Sequence, residues 1–401
     1  MRLSPRTEVL ILLLLVIISR LPFLPDGFGH EEDSWGLVVN SFQMKETGHY
    51  VASRFPGHPL QEYAYRIIYD RPAWAYNSMS LFMSAVAVAF FYLSLKKLQV
   101  QQAFMPSLFF TFVPAFFIAG TYTIDFAWGL AFVLASFYFL LDRKLLISGL
   151  LIGMAAGCRI TSEIFLLPWA ILLFNRLDFR VWIKDCLLLV LPAVCIGIAW
   201  YIPAYLNYET DFFDYSDQFP YPPLAKVIYK ATIGVFGFTG LCGLVFFIFP
   251  ALVAWRKKEL QPVTHVSPGK LIFVCVLIFL LFTIAYLRLP QKSGYMIPII
   301  PWVAIFFAIT LRRKYFRILT TLMVLSPFLF SINLTDPLRG ANHSRLAMTF
   351  VLSGQEIFID PLSGPVFSEQ SKRRNKMNYC NNVLREMRKP ENKHAFVIGG
   401  W

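Results

Sequence analysis

Long apolar runs separated by short polar breaks fill this 401-residue chain from about residue 8 to residue 333. A helix needs about 20 predominantly apolar residues to cross a bilayer, within a range of roughly 17–25. On that rule the pattern predicts about eleven spans, near 8–25, 76–95, 103–119, 125–141, 145–158, 161–175, 185–206, 228–254, 270–288, 293–311 and 315–333. The fifth is short, and only Gly120-Thr121-Tyr122-Thr123 separates the third from the fourth. Two stretches leave the rhythm. The first is a polar loop over 26–75, far longer than the roughly 4–6 residues usual for a connection. The second is the tail beyond 333, where 356–360 and 394–398 alternate like short strands and 369–388 reads as a polar helix. The expected fold is an all-α polytopic membrane protein. A transmembrane domain covers 1–333, the loop 26–75 included, and a small extracytoplasmic α/β segment covers 334–401. The end at Gly399-Gly400-Trp401, directly after a strand-like run, reads as a truncation or as the start of a disordered continuation. There is no internal repeat of fixed period and no inverted pair of Gly/Pro-broken spans of the transporter type.

Composition supports the membrane reading. The chain is 57% hydrophobic and 15% charged, with a mean hydropathy of +0.56, whereas soluble domains carry roughly 45–50% apolar and about 25% charged residues. The formal charge of +13 does not imply nucleic acid, because the basic residues cluster at the ends of apolar runs. That is the pattern of topology signals. Arg2 and Arg6, Lys96-Lys97, Arg143-Lys144, Arg176 with Arg180 and Lys184, Arg256-Lys257-Lys258 and Arg312-Arg313-Lys314 all fall on one side of the expected bundle. This places the N-terminus in the cytoplasm. The segment before the first span lacks an A-x-A cleavage site and reads as a retained anchor. Six cysteines occur without CxxC or CxxH spacing, so neither a disulfide framework nor a zinc site is expected.

The opposite face then collects the acidic and aromatic segments: the loop 26–75, the turns at 121–125, 158–161 and 289–292, the loop 207–227 and the tail. Its richest stretch is Gly29-His30-Glu31-Glu32-Asp33-Ser34-Trp35. Three carboxylates at a span end are costly unless they meet water or a substrate. A carboxylate there can act in proton relay, ion binding or general base catalysis. A solvated acidic loop is the plain alternative. Trp35, Tyr50, Tyr63 and Tyr65 favour an active site, because they offer stacking surfaces of the kind that hold sugars.

The segment Glu32-Asp33-Ser34-Trp35 followed by Glu46-Thr47-Gly48-His49-Tyr50 resembles the first-loop signature of the GT-C glycosyltransferases. Members include protein O-mannosyltransferases, aminoarabinose transferases and oligosaccharyltransferase catalytic subunits. In that pattern an acidic residue after the first span is followed by an amphipathic helix, then a Gly and an aromatic. Asp33 and Gly48 match this spacing, which implies Asp33 as the catalytic carboxylate. Ser34 stands where many members have Glu, and here the acidic partners, Glu31 and Glu32, precede the Asp. The segment Arg54-Phe55-Pro56-Gly57-His58-Pro59-Leu60 is similar to the Pro-rich segment that follows in many members. Ile124-Asp125 resembles a second acidic position, Gly157-Cys158-Arg159-Ile160-Thr161 a mid-chain turn, and the stretch from Pro290 through Lys292 and Tyr295 to Pro301 a late basic and Tyr-Pro motif. The tail is outside the resemblance.

The resemblance implies a transferase that uses a polyprenyl-phosphate-linked sugar and inverts its anomeric carbon. The expected catalytic residues are Asp33, Glu32 and Asp125; the expected substrate contacts are Arg54, His58, Glu62, Arg159, Arg288, Lys292 and Tyr295. Arg159, Arg288 and Lys292 suit a lipid phosphate, because Arg gives bidentate bonds and Lys a point charge. Plainer roles stand beside these. Arg288 and Lys292 would snorkel to head groups, Arg159 would pair with Glu163, and Asp125 would cap the fourth span. His58 and Glu62, four apart, could share a metal, but no third ligand is visible; His30 and His49 read as loop residues. No cofactor is required, and a divalent cation is left open. The expected partners are the lipid-linked donor, an acceptor glycan, lipid or protein, and membrane lipids. A bacterial plasma membrane fits better than an endoplasmic reticulum, where the sequons at Asn333 and Asn342 would matter. The competing class is a transporter or flippase for lipid-linked glycans.

Overall fold

The computed structural model describes residues 4–100, 102–174, 178–209, 220–334, 344–352 and 355–389. In chain order the helices are α1 (Pro5–Arg20), α2 (Glu32–Thr47), α3 (Pro59–Arg66), α4 (Ala73–Lys97), α5 (Phe104–Thr111), α6 (Pro114–Ala119), α7 (Phe126–Leu141) and α8 (Leu145–Cys158). They continue with α9 (Leu166–Leu173), α10 (Phe179–Tyr208), α11 (Leu224–Ala231), α12 (Ile233–Arg256), α13 (Pro268–Arg288), α14 (Ile300–Thr310) and α15 (Arg313–Leu325). Strands β1 (Ser331–Leu334), β2 (Met348–Leu352) and β3 (Gln355–Asp360) follow, then α16 (Pro365–Met387).

The count of eleven spans is not confirmed. Among the described residues five helices are long and apolar enough to cross a bilayer: 73–97, 179–208, 233–256, 268–288, and 293–310, the last beginning as a 3-10 turn. Helices α7 and α8 and the stretch 160–173 are apolar but shorter. Proline accounts for much of the difference. Pro114 has no N–H to extend α5, so the expected span 103–119 splits into α5 and α6. The expected span 228–254 divides at Thr232, which leaves α11 as a separate short helix. The last expected span ends as the 13-residue α15 ahead of Pro327, and its apolar continuation becomes β1.

Helix α12 bends at Gly237, whose φ of +66° is open to glycine and strained for other residues. The bend lets Ser326 bridge the break: its hydroxyl donates to the carbonyl of Phe236 at 2.6 Å and accepts the N–H of Gly240 at 3.1 Å.

The loop after α1 is folded. Glu32 and Asp33 occupy the first turn of α2, where free N–H groups favour carboxylates. Gly48 ends that helix at φ +74°, the left-handed closing position. The spacing between Asp33 and Gly48 is therefore the length of one helix.

The tail forms a three-stranded antiparallel sheet in the order β1-β3-β2, with Ile332 opposite Ile359 and Phe350 opposite Ile357. The expected strand 356–360 is β3, whereas 394–398 lies outside the described residues, as do 210–219, Arg176 and Asn342. The polar helix begins earlier than expected, with Pro365 in its first turn. Helix α16 docks onto the loop that follows α1. Asp26 accepts from Arg374 Nε at 2.5 Å and Gln370 Nε2 at 2.8 Å, and Glu369 meets His30 at 2.6 Å. Buried Arg373 donates to the carbonyls of Phe23 at 3.3 Å and Thr121 at 2.9 Å. His30 is thus a fixed contact between loop and tail.

Candidate active site

A cavity of about 2160 Å³ opens at one end of the bundle. Its walls come from the start of α2, the 54–58 loop, the turn after α8, helices α11 and α13, the 289–295 turn, β1 and α16. Asp33, Glu32, Arg54, His58, Arg159, Arg288, Lys292 and Tyr295 all line it. Asp125 and Glu62 do not; both are fully buried behind the wall.

The charged groups form one connected network. Asp33 pairs with Arg54 and with Lys292. Lys292 also holds Glu31 at 2.7 Å. Arg54 reaches Asp125 through Nη2 at 2.6 Å, and Asp125 pairs in addition with Arg159. Carboxylates from the first loop and the start of α7 thus meet cations from the first loop, the turn after α8 and the 289–292 turn. Burial alone would raise the pKa of Asp125, but Arg159, His58 and Arg54 hold it well below the usual carboxylate range. Burial likewise opposes ionisation of Glu31, and Lys292 with His30 and Arg54 outweighs it, giving about 2. Three acids, Asp33, Glu31 and Asp125, face three cations, Arg54, Arg159 and Lys292, so the cluster is balanced in formal charge.

Several expected pairings differ. Arg159 meets Asp125 rather than Glu163, and its guanidinium lies 4.5 Å from the Phe126 ring and 5.2 Å from that of Tyr295. Asp125 stands at the N-cap position of α7 without a side-chain cap bond, because its oxygens serve the arginines. His58 and Glu62 are engaged within the protein. His58 contacts the carbonyl of Cys158 through Nδ1 at 2.6 Å and Arg54 Nε through Nε2 at 2.8 Å. Glu62 accepts from Tyr50 Oη at 2.5 Å, Ser53 N at 2.7 Å, Ser53 Oγ at 2.6 Å and His58 N at 3.1 Å. Among the described residues no group of three or more His, Cys, Asp or Glu is placed to hold a metal ion.

Of the four aromatics expected to stack on a sugar, only Trp35 lines the cavity. Tyr65 is fully buried and stacks on Tyr76, and Tyr50 packs against Tyr63. Tyr122, Phe126, Tyr229 and Tyr295 are among the other rings on the wall. Sequence reasoning missed Lys226 and Lys230, which also line the wall. The readable signal was their i, i+4 spacing, which places both on one helical face.

No family model and no curated protein matches the chain. Among solved structures it is similar to ArnT from Cupriavidus metallidurans bound to undecaprenyl phosphate, with a TM-score of 0.55 and 14% identity over 75% of this chain. The fold is that of ArnT. The apo state of the same protein matches at a TM-score of 0.53, with 14% identity over 76% of this chain. The chain spans 59% and 60% of the length of those two ArnT chains. With its apolar helices, the ArnT fold makes this an integral membrane protein.

Proposed function

We propose that this chain is a GT-C-type glycosyltransferase that moves a sugar from a polyprenyl-phosphate donor to a hydroxyl of an acceptor glycan, lipid or protein. The reaction takes place on the extracytoplasmic face, in a bacterial plasma membrane. The observation that carries the reading is the placement of Asp33 on the wall of a large cavity between Arg54 and Lys292, in a fold shared with an ArnT solved with undecaprenyl phosphate.

Arg54 and Lys292 hold Asp33 on the wall, where a carboxylate can take the proton of a bound hydroxyl. The acceptor O–H gives its proton to Asp33 as its oxygen attacks the anomeric carbon. The bond from that carbon to the phosphate oxygen breaks, and the polyprenyl phosphate leaves with the bonding pair. Attack opposite the leaving group inverts the centre. Cations on the wall stabilise the charge that grows on the departing phosphate. Asp125 takes no proton in this scheme; it anchors Arg54 and Arg159 from behind. Glu32, exposed in the first turn of α2, lines the same cavity and is the second carboxylate open to an acceptor.

The test incubates purified protein with a panel of polyprenyl-phosphate sugars and candidate acceptors, beside Asp33→Asn. Turnover is expected to fall by about 10²–10⁴-fold in the variant, the usual weight of a general base. Equal turnover would remove Asp33 from the base role, and no turnover with any donor would overturn the transferase reading.

A further inference from the structure

The tail sheet is inside out for a sheet in water. Residues paired across neighbouring antiparallel strands point to the same face. The register therefore sets Ile332 and Leu334 of β1, Ile359 and Ile357 of β3, and Met348 and Phe350 of β2 on one face. All six are apolar. The other face mixes polar and apolar residues, and its polar members turn inward. Ser331 and Asp360 are buried, Asp360 accepts the N–H and hydroxyl of Ser344 at 2.8 and 2.5 Å, and Asn333 donates to Ser368 of α16 at 3.3 Å. The apolar face stays open. Met348 and Phe350 are 50% and 48% exposed, the other four are half-buried, and none of the six joins the apolar core. A sheet with one solvated face alternates apolar inward and polar outward; here the order is reversed.

The position of the sheet says what covers that face. Five residues separate β1 from α15. The last of them, Phe330, packs at 5.7 Å against Phe238, and both rings are exposed, Phe238 on the membrane-length helix α12. Tyr229 of α11 donates to the carbonyl of Ile332 at 2.5 Å, and the same short helix leaves Leu224 and Ile228 exposed. The sheet thus begins where apolar helix surface ends. Ile332 and Leu334 border the cavity, whereas the four outer residues lie beyond it. Arg345, exposed just ahead of β2, can lay its stem on apolar surface and hold its guanidinium at phosphate level. A second copy is the rival occupant, because β2 is an edge strand and 346–352 contains neither charge nor proline to blunt it. Edge pairing, however, would join backbones and leave the six-residue face in water.

We infer that the sheet is an interfacial element that rests its apolar face on the bilayer at the cavity end of the bundle, with Met348 and Phe350 in the acyl boundary and Arg345 among the head groups. Contact with lipid removes the apolar face from water, which is the gain that offsets the reversed pattern. It also fixes β1, one wall of the cavity, at the level of the membrane surface. The inference stands apart from the transferase reading.

The test places the full chain in nanodiscs of phosphatidylethanolamine and phosphatidylglycerol with a trace of phospholipid carrying an acyl-chain diazirine. Carbene insertion is mapped by mass spectrometry. Wild type is expected to be labelled at 348, 350, 357 and 359 to an extent comparable with Phe238, and at background over 386–389. In Met348→Ser/Phe350→Ser the labelling of 357 and 359 should fall by roughly 3–10-fold, because two apolar side chains no longer gain from leaving water. Thr349→Ser/Val351→Ser, on the reverse face, should keep the wild-type pattern, which separates loss of docking from loss of the sheet. Background labelling of the face in wild type would overturn the inference, as would equal losses in both double variants. Cross-links between copies at 348 and 350 in place of lipid adducts would overturn it too and assign the face to a second copy.

Discussion

His58 Nε2 accepts the Nε–H of Arg54 at 2.8 Å. Arginine has no acceptor, so Nε2 is bare, and Nδ1 carries the hydrogen it gives to the carbonyl of Cys158 at 2.6 Å. The ring is neutral in this arrangement. Burial lowers its pKa, Asp125 opposes, and Arg54 and Arg159 add to the fall, leaving it at about 3 against an ordinary 6.5. Between those values the unfolded chain binds one more proton than the folded one, so stability falls as pH drops through that window. Thermal midpoints in detergent should decline more steeply from pH 6.5 to 3 in wild type than in His58→Gln. Parallel curves would show that the ring is not held neutral.

Asp125 ties Arg54 to Arg159. Removing its charge leaves two arginines facing each other in a buried site, and breaking one side of such a pair costs about 3–5 kcal/mol. Asp125→Asn is therefore expected to lower unfolding stability by that order and to cut turnover through loss of Arg54 placement. Arg54→Lys keeps the charge and loses the reach to both carboxylates, so it should impair turnover more than stability. A measured Asp125→Asn protein as stable as wild type would refute the anchor role.

Glu62 gathers the loop that carries Arg54 and His58. Burial raises its pKa while the bonds from Ser53, Tyr50 and His58 pull it down, with a net rise. Glu62→Ala abandons four donors inside the protein, and each unsatisfied group costs about 1–3 kcal/mol. Hydrogen exchange across 50–58 should quicken in that variant, with a smaller change in Glu62→Gln. Unchanged exchange would mean that the loop is held by other contacts.

Much of this site was legible because its parts lie at span ends, where a charge in an apolar sequence stands out. Asp33, Arg159 and Lys292 were each visible as charges bordering apolar runs, and they meet although Lys292 and Asp33 are 259 residues apart. Lys226 and Lys230 were hidden for the same reason in reverse. Lys230 falls inside the expected span 228–254 and Lys226 just before it, and averaging over that window absorbed Lys230 and the break at Thr232. The run that enters β1 read as a span because a buried strand and a buried helix segment look alike by hydropathy alone. Tail docking was not legible, since nothing local tells His30 that its partner is Glu369, 339 residues away.

That last contact gives a pH-dependent latch between α16 and the first loop. Burial lowers the pKa of His30, but Glu369 and Glu31 outweigh it against Lys372, and the net direction is up. Burial raises that of Glu369, and His30, Arg373 and Lys372 bring it down. A raised histidine contributes stability below its unfolded pKa near 6.5 and loses it as pH rises through the folded value. A depressed glutamate contributes above its unfolded value near 4.5 and loses it as pH falls through the folded one. The pair is therefore fully formed between about 4.5 and 6.5 and weakens on the alkaline side as His30 discharges. Hydrogen exchange of α16, corrected for its intrinsic pH dependence, should rise above that window in wild type and stay flat in His30→Gln. The Arg374–Asp26 pair involves neither His30 nor Glu369, so the helix should loosen at its Glu369 end while its hold on Asp26 persists. Uniform protection of α16 from pH 6 to 9 would show that the His30–Glu369 contact carries no part of the docking.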